Sequence, residues 1–177
     1  MSDLKNLLQF DGETQALAQV SGRLGWDQET MMASGSAEQR GAEIAALEGV
    51  MHARRCNPQV GDWLSNIKPD TADEMTKAQI REIKRSFDRA TKVPGDLAQL
   101  IARTTSTAQG KWAAARADND FPAFVPVLEE VLNLKQQEGQ ALAENADVYD
   151  TMLADYEPGA TAKKLSTMFG ALRPGLV

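Results

Sequence analysis

Leu24-Gly25-Trp26-Asp27-Gln28-Glu29-Thr30-Met31-Met32 closes the first long helical pattern of the chain, and its reading decides the fold. At about 100° per residue, Leu17, Val20, Leu24 and Met31 fall on one stripe, and Asp27 and Gln28 fall on it too. A carboxylate and an amide therefore stand where the helix presents its apolar contacts. Trp26 lies on the opposite side and Glu29 on the flank, so both faces of this turn call for neighbours. Burying an unpaired carboxylate is costly, so Asp27 must find a donor, shift its pKa or line a wet cleft. Two readings stand at this point: a structural hydrogen-bond network that fixes helix register, or part of a cleft wall.

Working outward, the helical pattern covers residues 3 to 32, with Leu4, Leu7, Leu8 and Leu17 at helical intervals and a kink expected at Asp11-Gly12. Ala33-Ser34-Gly35 breaks it. Ser36-Ala37-Glu38-Gln39 has the form of a capping box, in which Ser36 and Gln39 each satisfy an orphan backbone donor. The second helix has the stripe Ile44, Leu47 and Met51, with Gly41 and small alanines admitting a close neighbour, and it stops before Asn57-Pro58. Trp63 and Leu64 anchor a short helical turn, Lys68-Pro69-Asp70 is a connector, and Thr71-Ala72-Asp73-Glu74 caps the next helix. That helix carries Met75, Ile80, Ile83, Phe87 and Ala90 on one face. Its Arg81, Lys84, Arg85 and Arg89 read as a solvated face paired with Glu82 and Asp88.

Beyond Pro94, Leu97, Leu100, Ile101, Thr104, Ala108, Trp112 and Ala115 form another stripe, and the small and hydroxylated residues at 104 to 108 predict tight helix packing. Asp118-Asn119-Asp120 ends it. Phe121, Phe124, Val125, Leu128, Val131 and Leu132 give the next core face, with Pro126 placed in the first turn or so, where its missing donor costs little. A short aromatic-bearing piece, Tyr149 to Tyr156, leads to the turn Glu157-Pro158-Gly159. Thr161 caps a last helix with Leu165, Met168, Phe169 and Leu172 as its stripe, stopped by Pro174-Gly175. No segment alternates with period two for long enough to be a strand. The fold class is therefore all-α, an antiparallel multi-helix array.

With 177 residues, 42% apolar and 25% charged, the chain is an ordinary globular composition for which a single domain, 1–177, is expected. A net charge of -6 argues against a nucleic-acid partner and an anionic membrane surface, both of which require a concentrated basic patch. The opening residues lack a charged n-region followed by an apolar h-region, and no run is long enough to span a bilayer; a cytoplasmic location is expected. Cys56 alone excludes an intrachain disulfide and a cysteine metal cluster.

His52 is the only histidine. A zinc protease of the HExxH type needs two histidines one helical turn apart, with a glutamate between them as general base, and this chain has no such motif. Glu48 and His52 stand four apart, the spacing of half a metal site, but an i,i+4 ion pair is the favoured reading. His52 with Cys56 as nucleophile is a remote alternative, since nothing nearby resembles an oxyanion hole.

Gly25-Trp26-Asp27-Gln28-Glu29-Thr30 resembles the GWDQET signature near the start of the carboxypeptidase Taq family of zinc metallocarboxypeptidases. The resemblance continues through Asp88 to Pro94, Trp112-Ala-Ala-Ala-Arg116 with Asp120-Phe121, and Phe124 to Lys135. It runs on through Tyr149 to Leu153, Asp155 to Gly159, and Leu172 to Leu176. It departs at Met31-Met32-Ala33, where the family often has an aromatic, a methionine and a proline.

The resemblance implies a longer polypeptide with two helical lobes around a deep groove, of which residues 1–177 are the N-terminal lobe and the end at Val177 a truncation. It places the zinc ligands and the general-base glutamate beyond position 177, so zinc is the cofactor of the full-length enzyme and none is expected on this chain. Zinc would polarise the scissile carbonyl and lower the pKa of bound water. The implied partners are a peptide substrate and the C-terminal region of the same polypeptide. Exposure of the surface that meets that region predicts a homo-oligomer. Asp27, Gln28 and Glu29 are the candidates for a substrate groove, with Trp26 as packing anchor. The alternative, from a different functional class, is a free-standing helical module that binds a partner helix in an apolar groove.

Overall fold

The structure is a computed structural model that describes residues 2–68 and 72–176. The expected connector at Pro69-Asp70, Thr71 of the expected cap, and the terminal Met1 and Val177 lie outside the described residues. Among those described, the regular elements are helical throughout: α1 (Asp3–Thr30), α2 (Ala37–Arg55), α3 (Pro58–Asn66), α4 (Glu74–Ala90), α5 (Gly95–Ala117), α6 (Phe121–Ala143), α7 (Val148–Leu153) and α8 (Ala162–Leu172). The chain divides into two compact units, 1–134 and 135–177, with α6 shared between them.

In the first unit α1 and α2 run antiparallel. Arg40 near the start of α2 meets Leu24 and Asp27 near the end of α1, and Arg54 near the end of α2 meets Phe10 and Glu13. α2 and α5 are also antiparallel and very close. A β-carbon added at Gly41 would lie 2.9 Å from Thr107 Cγ2, and one at Gly49 would lie 2.8 Å from Gln99 Cδ. Thr104, Ser106 and Ala108 are buried along the same stretch of α5, so small residues accompany the expected close approach. The apolar centre lies elsewhere, where Leu7, fully enclosed, packs with Val60 and Ile83 beneath Phe10, Trp63 and Phe87. Phe10 and Trp63 meet edge to face with centroids 5.7 Å apart.

Local chemistry sets the element ends. Asn57 accepts from Gln59 N at 2.9 Å with Pro58 opening α3, and Asp73 accepts from Thr76 N at 2.9 Å at the start of α4. Asn119, at φ 54°, sits one residue past the α5 cap. Asp120 N then bonds Ala115 O at 2.8 Å and Asn119 N bonds Arg116 O at 3.4 Å, a Schellman closure. Asp120 in turn accepts from Ala123 N at 3.2 Å, so the three residues Asp118 to Asp120 stop one helix and start the next.

The second unit pairs the end of α6 with α7. Gly139 faces Val148 and Met152, Asp147 caps α7 through Asp150 N, and Asp150 Oδ1 accepts from Ala162 N at 2.6 Å to hold the start of α8. Thr161 caps α8 through Lys164 N.

α1 is continuous through Gly12, as one glycine weakens a helix by only about 1 kcal/mol. Three local expectations are corrected. Ser36 is no capping box: Ser34–Ser36 forms a 3-10 turn, Ser36 has φ -94° and ψ 5° instead of the extended N-cap conformation, and Gln39 turns to Glu43. Pro126 is past the first turn of α6, well inside the helix. Met75, Leu100 and Leu132 are exposed, because helical periodicity names a stripe without saying how far along it a neighbour reaches.

Candidate functional site

The end of α1 is held from two sides. Gln28 Nε2 donates to Ser106 O at 2.8 Å, and Ser106 Oγ donates back to Gln28 Oε1 at 2.8 Å, so both ends of the amide are bonded to a buried serine on α5. Arg40 Nη2 lies 2.6 Å from Asp27 Oδ2, its Nη1 donates to Leu24 O, and its Nε lies 3.1 Å from Glu43 Oε2. The hydrogen bond that Arg40 donates to Asp27 raises the Arg40 pKa above its ordinary value, against the lowering effect of desolvation. One guanidinium thus closes the last turn of α1 onto the first turns of α2.

The two halves of the signature differ in exposure. Gln28 is committed to the α1–α5 seam. Asp27, with 40% of its side chain exposed against 11% for Arg40, lies on an open polar cleft with Met31, Met32, Ser36, Gln39 and Glu43. Glu29 is exposed to solvent. Trp26, expected as a packing anchor, is 64% exposed, so most of its ring faces solvent. Arg40 and Ser106 were missed as site residues. Ser106 lay in a stretch already read as tight packing, whereas Arg40 becomes visible only once α1 and α2 fold back on each other.

The lone histidine is used structurally. His52 Nε2 donates to Val93 O at 2.7 Å, which ties α2 to the junction before α5. Its expected partner Glu48 pairs with Arg55 instead, Nη1 to Oε1 at 3.2 Å, because the guanidinium reaches back along the helix while the imidazole is turned to Val93. Burial raises the Glu48 pKa, partly offset by Arg55 and His52. Burial also raises the Cys56 thiol pKa, the reverse of what an activated nucleophile needs, although Sγ lies 3.7 Å from His52 Nδ1. Among the described residues no group of three or more His, Cys, Asp or Glu side chains is placed to hold a metal ion. None of their helices is long and apolar enough to cross a membrane.

A sequence profile described as carboxypeptidase Taq (M32) metallopeptidase matches residues 6–177. The chain belongs to this family. Thermostable carboxypeptidase 1 of Thermus thermophilus is 32% identical over 97% of the chain and 36% of the relative's length. The protein of the same name from Pyrococcus furiosus is 25% identical over 98% of the chain and 35% of its own length. In three dimensions a crystal structure of a protein called BsuCP superposes with a TM-score of 0.91 at 21% identity, covering 97% of this chain and 35% of that one. The M32 carboxypeptidase of Deinococcus radiodurans superposes with a TM-score of 0.72 at 26% identity, again over 97% and 35%. The chain therefore spans about 35% of the length of the family members it matches.

The family is one of metallopeptidases, but among the described residues His52, Glu48 and Asp27 do not fit a catalytic zinc site. His52 spends Nε2 on a carbonyl, Glu48 is paired with Arg55, and Asp27 is paired with Arg40. No metal-dependent step is derived from residues 1–177.

Proposed function

We propose that this chain is the N-terminal lobe of a zinc metallocarboxypeptidase that removes C-terminal residues from peptides, and that it shapes or covers the active-site groove. In this reading the chain alone is inactive, the zinc and its ligands belong to further polypeptide, and that polypeptide and the peptide substrate are its partners. The observation that carries the reading is the family match over residues 6–177 in a chain that spans only about 35% of its relatives' length and holds one histidine. Supporting it, the one imidazole is bonded to Val93 and Gln28 of the GWDQET turn is bonded to Ser106.

Within this lobe the contribution falls to Asp27. Arg40 fixes the carboxylate at the rim of the polar cleft and leaves it exposed enough to accept from a donor there. Gln28 positions that turn through Ser106, and Glu29 adds a second carboxylate at the same helix end. The test has two parts. DNA read downstream of codon 177 is expected to encode HExxH in frame, and a stop codon there would favour a free-standing module. Purified residues 1–177 with added zinc are expected to release no C-terminal residue from a blocked tripeptide, and zinc-dependent release would refute the reading.

A further inference from the structure

The turn between α5 and α6 carries a feature that the family reading does not use. Trp112, Ala115, Arg116, Asn119, Phe121 and Phe124 line an open, mostly apolar cleft of about 150 Å³. Its aromatic walls are uncovered, Trp112 being 49% exposed and Phe121 64%. Surface aromatics gathered around one depression beside an arginine have the composition of an interaction hot spot. The Schellman closure at Asn119 fixes the turn that carries them, so little ordering is needed when a partner docks.

Charge selects the occupant. Lys111, Arg116 and Asp118 are exposed, and none of their side chains has a hydrogen-bond or ion-pair partner among the described residues. Asp120 spends Oδ1 on Ala123 N at the start of α6. Two cations and two anions therefore share this turn, which is neutral, in a chain whose net charge is -6. The chain as a whole repels a second copy of itself, whereas this turn does not. A two-fold contact demands that one patch carry both members of each pair, since residue i meets j while j meets i. Arg116 and Asp118, two residues apart, meet that demand. An occupant bearing one sign of charge would set one of them against its like.

We infer that the α5–α6 turn is a docking surface for a second copy of this chain, packed about a two-fold axis. Trp112 and Phe121 of each copy lie against those of the other, and Arg116 of each faces Asp118 of the other. The two part-exposed rings supply roughly 250 Å², well short of the about 800 Å² per partner of a standard stable interface, so the pair is reversible. The inference needs neither zinc nor hydrolysis and does not rest on the lobe reading, since it holds equally for a free-standing module.

The test is sedimentation equilibrium of the chain from about 5 to about 500 µM, with two charge reversals. The unsubstituted chain is expected to pass from monomer to dimer across that range. Arg116→Glu and Asp118→Arg, both at exposed positions, are expected to keep native helicity and each to weaken association at least about tenfold, because each sets like charges together at both contacts. An equimolar mixture of the two variants is expected to regain the original affinity, since the mixed pair has opposite charges at both contacts, and so is the chain that carries both substitutions. Phe121→Ser is expected to weaken association in every combination. A monomer at every concentration would overturn the inference and leave the cleft to another occupant, such as further polypeptide. Association that neither reversal weakens would overturn it by placing the contact on other exposed apolar faces, and a mixture that fails to regain affinity would overturn the two-fold pairing. None of these outcomes bears on the downstream codons that test the lobe reading.

Discussion

Gln28 and Asp27 are adjacent, yet substitution at each has a different expected effect. Removing the Gln28 amide takes the acceptor from the buried Ser106 Oγ and the side-chain donor from Ser106 O, so Gln28→Leu is expected to destabilise the fold by about 1–3 kcal/mol, measured by urea unfolding. Asp27→Ala removes a part-exposed partner from an arginine that keeps Leu24 O and Glu43. In the full-length enzyme it is expected to lower the rate of peptide hydrolysis more than the thermal midpoint, and equal losses would assign Asp27 a purely structural role.

Two carboxyl groups give opposite pH signatures. Bonds from Thr76 lower the Asp73 pKa below 3.8, so its contribution to stability is present above that value and is lost as pH falls through the lower folded value. Burial raises the Glu48 pKa above 4.5, so its contribution is full below 4.5 and is lost as pH rises through the higher folded value. Glu48→Gln is accordingly expected to raise the thermal midpoint near neutral pH and to match the unsubstituted chain below about pH 4.5. A constant difference across that range would contradict the assignment.

Between elements, the α2–α5 seam separates two glycines that look alike in sequence. A methyl at Gly41 would meet Thr107 Cγ2 at 2.9 Å, a short branched side chain fixed close to the α5 backbone, with Arg103 O 3.5 Å away. At Gly49 the obstacle is the far end of Gln99, which can swing aside. Gly41→Ala is therefore expected to destabilise the protein. Gly49→Ala is expected to be neutral or to gain up to about 1 kcal/mol from helix propensity. Parallel thermal melts of the two variants decide this.

The helices themselves were legible from the 3.6-residue period, and the close approach was legible from Gly41 and the small residues 104 to 108. The partner of each face was not, because periodicity records which side of a helix is apolar and nothing about the register of its neighbour. Arg40 shows this: its role depends on the α1–α2 turn, and the expected capping box there proved to be a 3-10 turn.

Taken whole, the molecule leaves more large apolar side chains uncovered than single scattered residues account for. Trp26, Tyr149, Met168, Phe169 and Leu172 are all exposed. On the reading proposed above, in which the chain is one lobe of a longer enzyme, the chain by itself is expected to bind a hydrophobic dye in its folded state and to self-associate as concentration rises. Sedimentation showing a strict monomer, together with no dye binding, would count against the lobe reading. In the second unit, Tyr149 contributes from α7 and Met168, Phe169 and Leu172 from α8.

By itself the sequence determined the helical class, the capping stretch that includes Asp73, the cap at Thr161, and the GWDQET turn that marks the family, because these rest on local backbone preferences and short motifs. It also limited this chain's chemistry to what a single imidazole allows. Only the tertiary structure decided that Gln28 serves Ser106 while Asp27 faces a cleft, that His52 is bonded to Val93, and that Trp112 and Phe121 stand open beside Arg116. These outcomes depend on which distant residue arrives opposite each side chain, and helix packing sets that after the local pattern is satisfied.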